Sequence, residues 1–228
     1  MVFNPKSFSL LVLLFVCACN QANNDSNKSI SDLEHSFETI SLIENTDERD
    51  AATDTLWNKL ISDNQIPFTN DSTAIFLYRG EAENVQWHGD FNSWSSDSKF
   101  PNKGVQVAGT NIWKLKAHFP SDARIDYKIA VDDEWILDPI NPNYQWSGFG
   151  PNSELRMTKW EPEPLLERIA EAPKGTLSDN KIIKSSQLGY SVQYRIYTPA
   201  NYDSLENLPV LYVLDGHEYA DDNLGAVV

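Results

Sequence analysis

At Ser72 the hydrophobic period of the chain switches, and this constrains the fold more than any other feature. Upstream, Leu33, Phe37, Ile40 and Ile43 recur near helical spacing behind Ser31-Asp32-Leu33-Glu34, a capping-box pattern, which predicts an amphipathic helix from about 32 to 44. A second helix is expected from near Asp50, with Leu56, Trp57, Leu60 and Ile61 on one side. Downstream the apolar residues alternate or cluster between Gly, Asn, Asp and Pro turns, in Ala74-Ile75-Phe76-Leu77-Tyr78, Val85-Gln86-Trp87-His88, 113–119 and 125–131. Shorter strands are expected at 134–137 and 154–157, with Asp132-Asp133 as a tight hairpin turn. Together these predict helices over 32–69 and an all-β sandwich over 70–158.

Trp160-Glu161-Pro162-Glu163-Pro164 interrupts regular structure, so 159–174 reads as a linker with a short helical stretch near 165–170. Strands are expected again at 182–185, 191–198 and 210–214. The last, Val210-Leu211-Tyr212-Val213-Leu214, is wholly apolar, as a strand covered on both faces of an α/β sheet would be.

Acidic residues number 33 against 18 basic ones, a net charge of -15. That balance excludes nucleic acid as a partner, because phosphate binding needs basic surface.

The N-terminus is built like an export signal. Lys6 supplies the positive charge, and residues 8–16 form an apolar run too short to span a membrane. The run ends in Val16-Cys17-Ala18-Cys19, which resembles a bacterial lipobox. That resemblance implies a signal over 1–19, lipidation of Cys19, and a membrane-anchored protein on the periplasmic or outer-membrane side. A plain secretory signal cleaved near Ala18 or Ala22 is the other reading. Cys17 and Cys19 are the only cysteines, and a disulfide across one residue is geometrically poor. The polar run over 20–31 lacks apolar periodicity and is expected to be a flexible tether.

Val85-Gln86-Trp87-His88-Gly89-Asp90-Phe91-Asn92-Ser93-Trp94 resembles the signature of early-set immunoglobulin-like domains. Asp126-Tyr127-Lys128 and the run from Asp132 to Asp138-Pro139 agree with that pattern. Glycogen-binding modules and the N-terminal domains of certain esterases share it.

The flanking residues resemble the enterochelin esterase family. They are Leu56-Trp57-Asn58-Lys59-Leu60, Ile66-Pro67-Phe68, Phe76-Leu77-Tyr78-Arg79-Gly80, Tyr194-Arg195-Ile196-Tyr197-Thr198-Pro199 and Leu211-Tyr212-Val213-Leu214-Asp215-Gly216. This resemblance covers about 54–228 and implies an immunoglobulin-like sandwich followed by the first strands of an α/β-hydrolase domain over 175–228. It also implies hydrolysis of a carboxylic ester, a siderophore lactone or a polysaccharide acyl or feruloyl ester, with no metal or organic cofactor.

In such hydrolases a Ser in a Gly-x-Ser-x-Gly elbow attacks the carbonyl, a His removes its proton, and an acid orients the His. By position, Gly216 and His217 are the candidates for the oxyanion-hole loop. Trp146-Ser147-Gly148 belongs to the sandwich and lacks the elbow context, so no nucleophile, acid or base is assigned, and the chain alone is expected to be inactive.

Of the tryptophans, Trp87 and Trp113 alternate with apolar strand neighbours and are expected in the core. Trp94, Trp135 and Trp146 lie in turn-rich contexts and are candidates for substrate contact, such as stacking on a sugar ring. His88, Asp90 and Asp138 match no zinc or calcium spacing and are read as turn and strand-edge residues. His35 and His118 are given no role. The alternative function is a carbohydrate-binding module with a non-catalytic extension.

Overall fold

The computed structural model describes residues 29–95, 99–164 and 170–220. The expected signal, the Cys19 lipidation site, most of the tether and the helical stretch near 165–170 lie outside the described residues.

Two helices open the described chain, α1 (Ile30–Ser41) and α2 (Thr46–Ser62). The first starts two residues before the expected box. Ser29 caps it, accepting from the Asp32 amide while the Asp32 carboxylate accepts from the Ser29 amide. The reciprocal pair sits at N-cap and N3, and Ser29-Asp32 has the same spacing as Ser31-Glu34 while also leaving Ile30 and Leu33 free to face inward. The second helix begins at Thr46, because Asn45 accepts from the Glu48 amide.

Strands β1 (Phe68–Asn70), β2 (Thr73–Arg79), β3 (Val85–Gly89), β4 (Val105–Gln106), β5 (Ile112–His118), β6 (Arg124–Val131), β7 (Glu134–Ile136), β8 (Tyr144–Ser147) and β9 (Gly150–Arg156) follow. They form two antiparallel sheets, ordered β1-β2-β5-β4 and β3-β6-β9-β8, with β7 paired to β6. Between the sheets lies one core, with Phe76, Trp113 and Leu115 on one side and Trp87, Tyr127, Ile129 and Leu155 on the other. Trp87 and Trp113 are thus buried, as expected. Phe76 is central, within aromatic contact of Trp87, Phe91, Phe119 and Tyr127.

A second core lies on the opposite face of the first sheet, where Leu33, Phe37, Ile40, Leu56, Trp57 and Leu60 pack on Ile75, Leu77 and Ile112. Strand β2 is therefore covered on both faces, which is why Ala74-Ile75-Phe76-Leu77 is apolar without alternation. Arg79 fixes the helical layer, donating to the Asp54 carboxylate at 2.6 Å and to Asn111 Oδ1 at 2.9 Å. Lys116 pairs with Glu34 at 3.1 Å.

The turn at Asp132-Asp133 is a two-residue hairpin with φ of 47° and 71°. Asp132 Oδ1 also accepts from the amides of Glu83 and Asn84. Both features suit Asp, which tolerates the left-handed region and bonds nearby amides.

Beyond residue 170 the structure departs from the parallel sheet expected there. Strands β10 (Thr176–Leu177), β11 (Lys181–Lys184), β12 (Ser191–Tyr194) and β13 (Tyr197–Thr198) form two separate antiparallel pairs, β10 with β13 and β11 with β12. The strand expected over 191–198 is divided at Arg195-Ile196, where Arg195 and the Ile196 amide bond back to Ser178. The strand expected over 210–214 is not formed. Leu211, Tyr212 and Leu214 stand 85–89% exposed with no ladder partner among the described residues. Apolar residues make a strand possible, but only a neighbour supplies its hydrogen bonds. A single helical turn, α3 (Gly216–Tyr219), closes the described chain.

Candidate functional site

Two groups of predicted residues come together and a third stands apart. The first group is on the outer face of the second sheet. Register pairs Gln86 with Ala130 and Ala130 with Trp135, and His88 with Lys128, so all of these point away from the core that holds Trp87 and Ile129. Trp135 stacks on the His88 imidazole at 4.6 Å and 13°. Trp94 lies 6.3 Å from Trp135 at 16°, nearly parallel to it. Trp135 remains 48% exposed, and Trp94 is half-buried.

The loop that carries Trp94 is built residue by residue from Gly89-Asp90-Phe91-Asn92. A side chain at Gly89 would strike the Asp126 carbonyl and Tyr127, so only glycine lets the turn cross β6. Asn92 is buried, accepting from the Gly89 amide at 3.0 Å and donating to the Trp87 carbonyl at 2.9 Å. Phe91 stacks on Phe76, anchoring the loop to the core.

Asp90 bonds in two directions. Its Oδ2 accepts from the Asp126 amide at 2.9 Å and its Oδ1 accepts from the Trp94 indole Nε1 at 3.2 Å. Ser93, Trp94 and Ser95 all have positive φ, at 48°, 55° and 84°. Left-handed backbone costs a non-glycine residue about 1–2 kcal/mol, and such strain is held only where its surroundings over-determine it. Burial pushes the His88 imidazole below its ordinary pKa, and its Nδ1 is hydrogen-bonded to the Ser95 hydroxyl.

Asp138, expected in a turn, lies instead at the centre of a buried network. It accepts from Tyr127 Oη at 2.7 Å and from the amides of Ile140 and Asn141. Asn141 donates to Tyr127 Oη and to the Glu154 carbonyl. Burial raises the Asp138 carboxyl above the usual range in spite of these donors, and burial with the neighbouring Asp138 pushes the Tyr127 phenol well above its usual range. This cluster is buried and fixes the 138–143 loop.

Beside it, on the outer face, Glu154 is paired with Arg124 and Arg156. Burial alone would raise Glu154, but the hydrogen bonds and charges of the two arginines outweigh it and hold the carboxyl below its usual value. No group of three or more His, Cys, Asp or Glu suited to a metal occurs among the described residues.

Trp146 does not join the aromatic pair. It is opposite Pro151, in register with the inward residues of β9, so it lies on the other face of the sheet from Trp135. It is half-exposed, on the hairpin whose tip is Gly148-Phe149, and Phe149 is 96% exposed. That tip meets α3. The Glu218 carboxylate occupies the space a side chain on Gly148 would need.

Gly216 and His217 form the start of α3, after Asp215 in left-handed conformation. Neither backbone N–H has an acceptor among the described residues. The His217 side chain is exposed, 3.7 Å from Glu218. His118 bonds to Thr73 at 3.1 Å, a strand-end contact. Two surface depressions of about 290 and 410 Å³ lie against the helical layer, away from Trp94, Trp135 and Gly216.

Sequence reasoning missed Asp90 and His88 as partners of the tryptophans. Their outward parity was readable from Trp87 being core, but the stack depends on β7 folding back over β6.

No protein-family model matches the chain, and no curated protein matches it. Among solved structures, the chain is similar to the ferric enterobactin esterase of Salmonella typhimurium at 17% identity and TM-score 0.44, over 57% of this chain and 42% of that one. It is also similar to the Shigella flexneri enterobactin esterase solved in the presence of enterobactin, at 20% identity and TM-score 0.36, over 54% of this chain and 39% of that one. The same enzyme in the presence of 2,3-di-hydroxy-N-benzoyl-serine gives 19% and 0.35 over the same shares. The chain thus spans about two fifths of the length of these esterases.

Proposed function

We propose that this chain is the N-terminal part of an exported, lipid-anchored serine carboxylic-ester hydrolase, an early-set immunoglobulin-like sandwich leading into an α/β-hydrolase domain. The observation that carries this reading is the contact of Gly148 with Glu218, which seats the aromatic β8–β9 hairpin against the turn that begins with Gly216 and His217. In the sequence that turn follows the Leu211-Tyr212-Val213-Leu214-Asp215-Gly216 pattern of enterochelin-esterase-like enzymes.

Two backbone N–H groups there, without an acceptor among the described residues, are the kind of donor that stabilises the oxyanion of a tetrahedral intermediate. Trp146 and Phe149 offer an apolar cover suited to the aryl part of a catecholate lactone or a feruloyl ester. The attacking serine and its histidine and acid are expected on later strands, so the 228 residues alone bind at most one side of the substrate.

The DNA that follows codon 228 tests this. An in-frame Gly-x-Ser-x-Gly within an α/β pattern is expected, and an immediate genuine stop with no such frame overturns the reading. With that frame restored, ester hydrolysis should be blocked by a serine-directed inhibitor. Gly148→Val should impair aryl esters more than acetyl esters.

A second reading is favoured by the Trp94–Trp135 pair, whose near-parallel rings on an open sheet face are suited to stacking on a sugar. In that reading the sandwich binds glycan. Calorimetry of the whole chain with xylohexaose, cellohexaose and maltoheptaose tests it, and absence of heat with all three rejects it.

A further inference from the structure

We propose that Asp90 and His88 are positioning residues that hold Trp94 and Trp135 as a single ring-stacking platform, an inference that rests on the glycan-binding reading. An indole on a surface loop samples several rotamers, and ordering it on ligand contact opposes binding. Here that ordering is built into the free protein from both sides.

On the Trp94 side, the backbone of residues 93–95 is in the left-handed region that serine and tryptophan adopt seldom. Asn92 closes the loop onto Gly89 and Trp87. Within this loop the Asp90 carboxylate is a two-ended brace, with one oxygen on the β6 amide of Asp126 and the other on the Trp94 indole N–H. The indole orientation is thereby referred to the sheet rather than to its own flexible side chain. An anionic acceptor strengthens each of the two bonds, but charge alone does not fix the indole. It is the presence of two acceptors on one rigid group that fits, and Asn supplies only one acceptor oxygen.

On the Trp135 side, β7 is a three-residue edge strand with no ladder partner other than β6 among the described residues. His88 supplies the floor. It is 4% exposed, its flat ring lies 4.6 Å beneath the indole, and its Nδ1 is tied to Ser95, the residue that follows Trp94. One imidazole therefore touches both halves of the platform, by stacking to one and by hydrogen bond to the loop of the other.

The test uses the whole 228-residue chain, indole N–H resonances assigned through Trp94→Phe, and calorimetry with the three oligosaccharides named above. In Asp90→Ala the Trp94 indole N–H should shift toward the solvent-exposed position and exchange faster, and affinity for the bound oligosaccharide should fall about tenfold. Asp90→Asn should lose about threefold or less, because the indole keeps one acceptor. His88→Phe, which preserves a flat ring, should bind within about threefold of the natural chain, whereas His88→Ala should lose about tenfold.

An unmoved Trp94 resonance in Asp90→Ala overturns the positioning role, as does unchanged affinity with a moved resonance. If the resonance moves but the natural chain binds none of the three sugars, the proposal falls through its ligand and the glycan reading falls with it. Melting curves identify any variant that has unfolded, in which case the His88→Phe and Trp94→Phe comparison decides.

Discussion

Two stretches of this chain carry comparable apolar sequences and reach opposite outcomes. Residues 74–77 and 211–214 are both continuous apolar runs, yet Ala74, Ile75, Phe76 and Leu77 are at most 1% exposed while Leu211, Tyr212 and Leu214 are 85% exposed or more. The difference is supplied from a distance. Strand β2 has β1 and β5 as ladder partners, the second sheet on one face and two helices on the other. Among the described residues, 211–214 have no ladder partner and join neither core. Local composition sets what a segment is able to bury, and the rest of the chain decides whether it does.

The largest expected break in this contrast is Phe76→Ala, which removes four aromatic contacts and should cost about 3–5 kcal/mol in urea unfolding. The matching change Tyr212→Ala should alter stability by less than about 0.5 kcal/mol. Equal effects at the two positions would mean that 211–214 is packed in solution.

Next comes Asp138→Ala, which leaves a buried phenol and two amides without their acceptor and should cost about 2–4 kcal/mol. Glu154 sharpens the comparison through pH. Its carboxyl is held below the usual value, so its stabilisation is present above the ordinary Glu pKa and lost as pH falls through the depressed one. Asp138 is shifted the other way, so protonation of its carboxyl favours the folded state. Glu154→Gln should therefore lower the melting temperature at neutral pH, by about 1–3 kcal/mol in stability, and flatten its decline toward acid. An unchanged acid limb would show that the Arg124 and Arg156 pairs contribute nothing.

One expected effect is a small gain. Asp133→Gly in the hairpin turn relieves a φ of 71° and should stabilise by about 0.5–1 kcal/mol, visible as a higher melting temperature. Asp132 should not tolerate the same change, because two amides depend on its carboxylate.

The strands between 73 and 157 were legible because each of most of them buries one face, which writes a period of two into the sequence. The hairpin at Asp132-Asp133 was legible because few residues accept positive φ. Helix starts were misplaced by two to four residues, since Ser29 with Asp32 and Asn45 with Glu48 are short-range signals that neighbouring Ser and Asp residues imitate.

At the candidate site, Trp94 and Trp135 were legible as exposed aromatics, but their pairing required a fold-back that only β7 creates. Trp146 shared their turn-rich context and landed on the opposite face, because parity depends on register with β9 rather than on composition. The stack under Trp135 was not legible at all, since a histidine beside a glycine turn carries no sign of what will lie on it.

Double coverage of β2 also changes what keeps that strand in place. In a half-exposed strand a slip by one residue is rejected because it buries polar groups. Within Ala74–Leu77 no polar side chain is available to object, and the slip would instead trade occupants between two compartments of unlike size, sending Ala74 and Phe76 toward the helices and Ile75 and Leu77 toward the sandwich. The alignment is thus read by volume, with Arg79 at the strand end, tied to Asp54 and Asn111, as its one charged index mark.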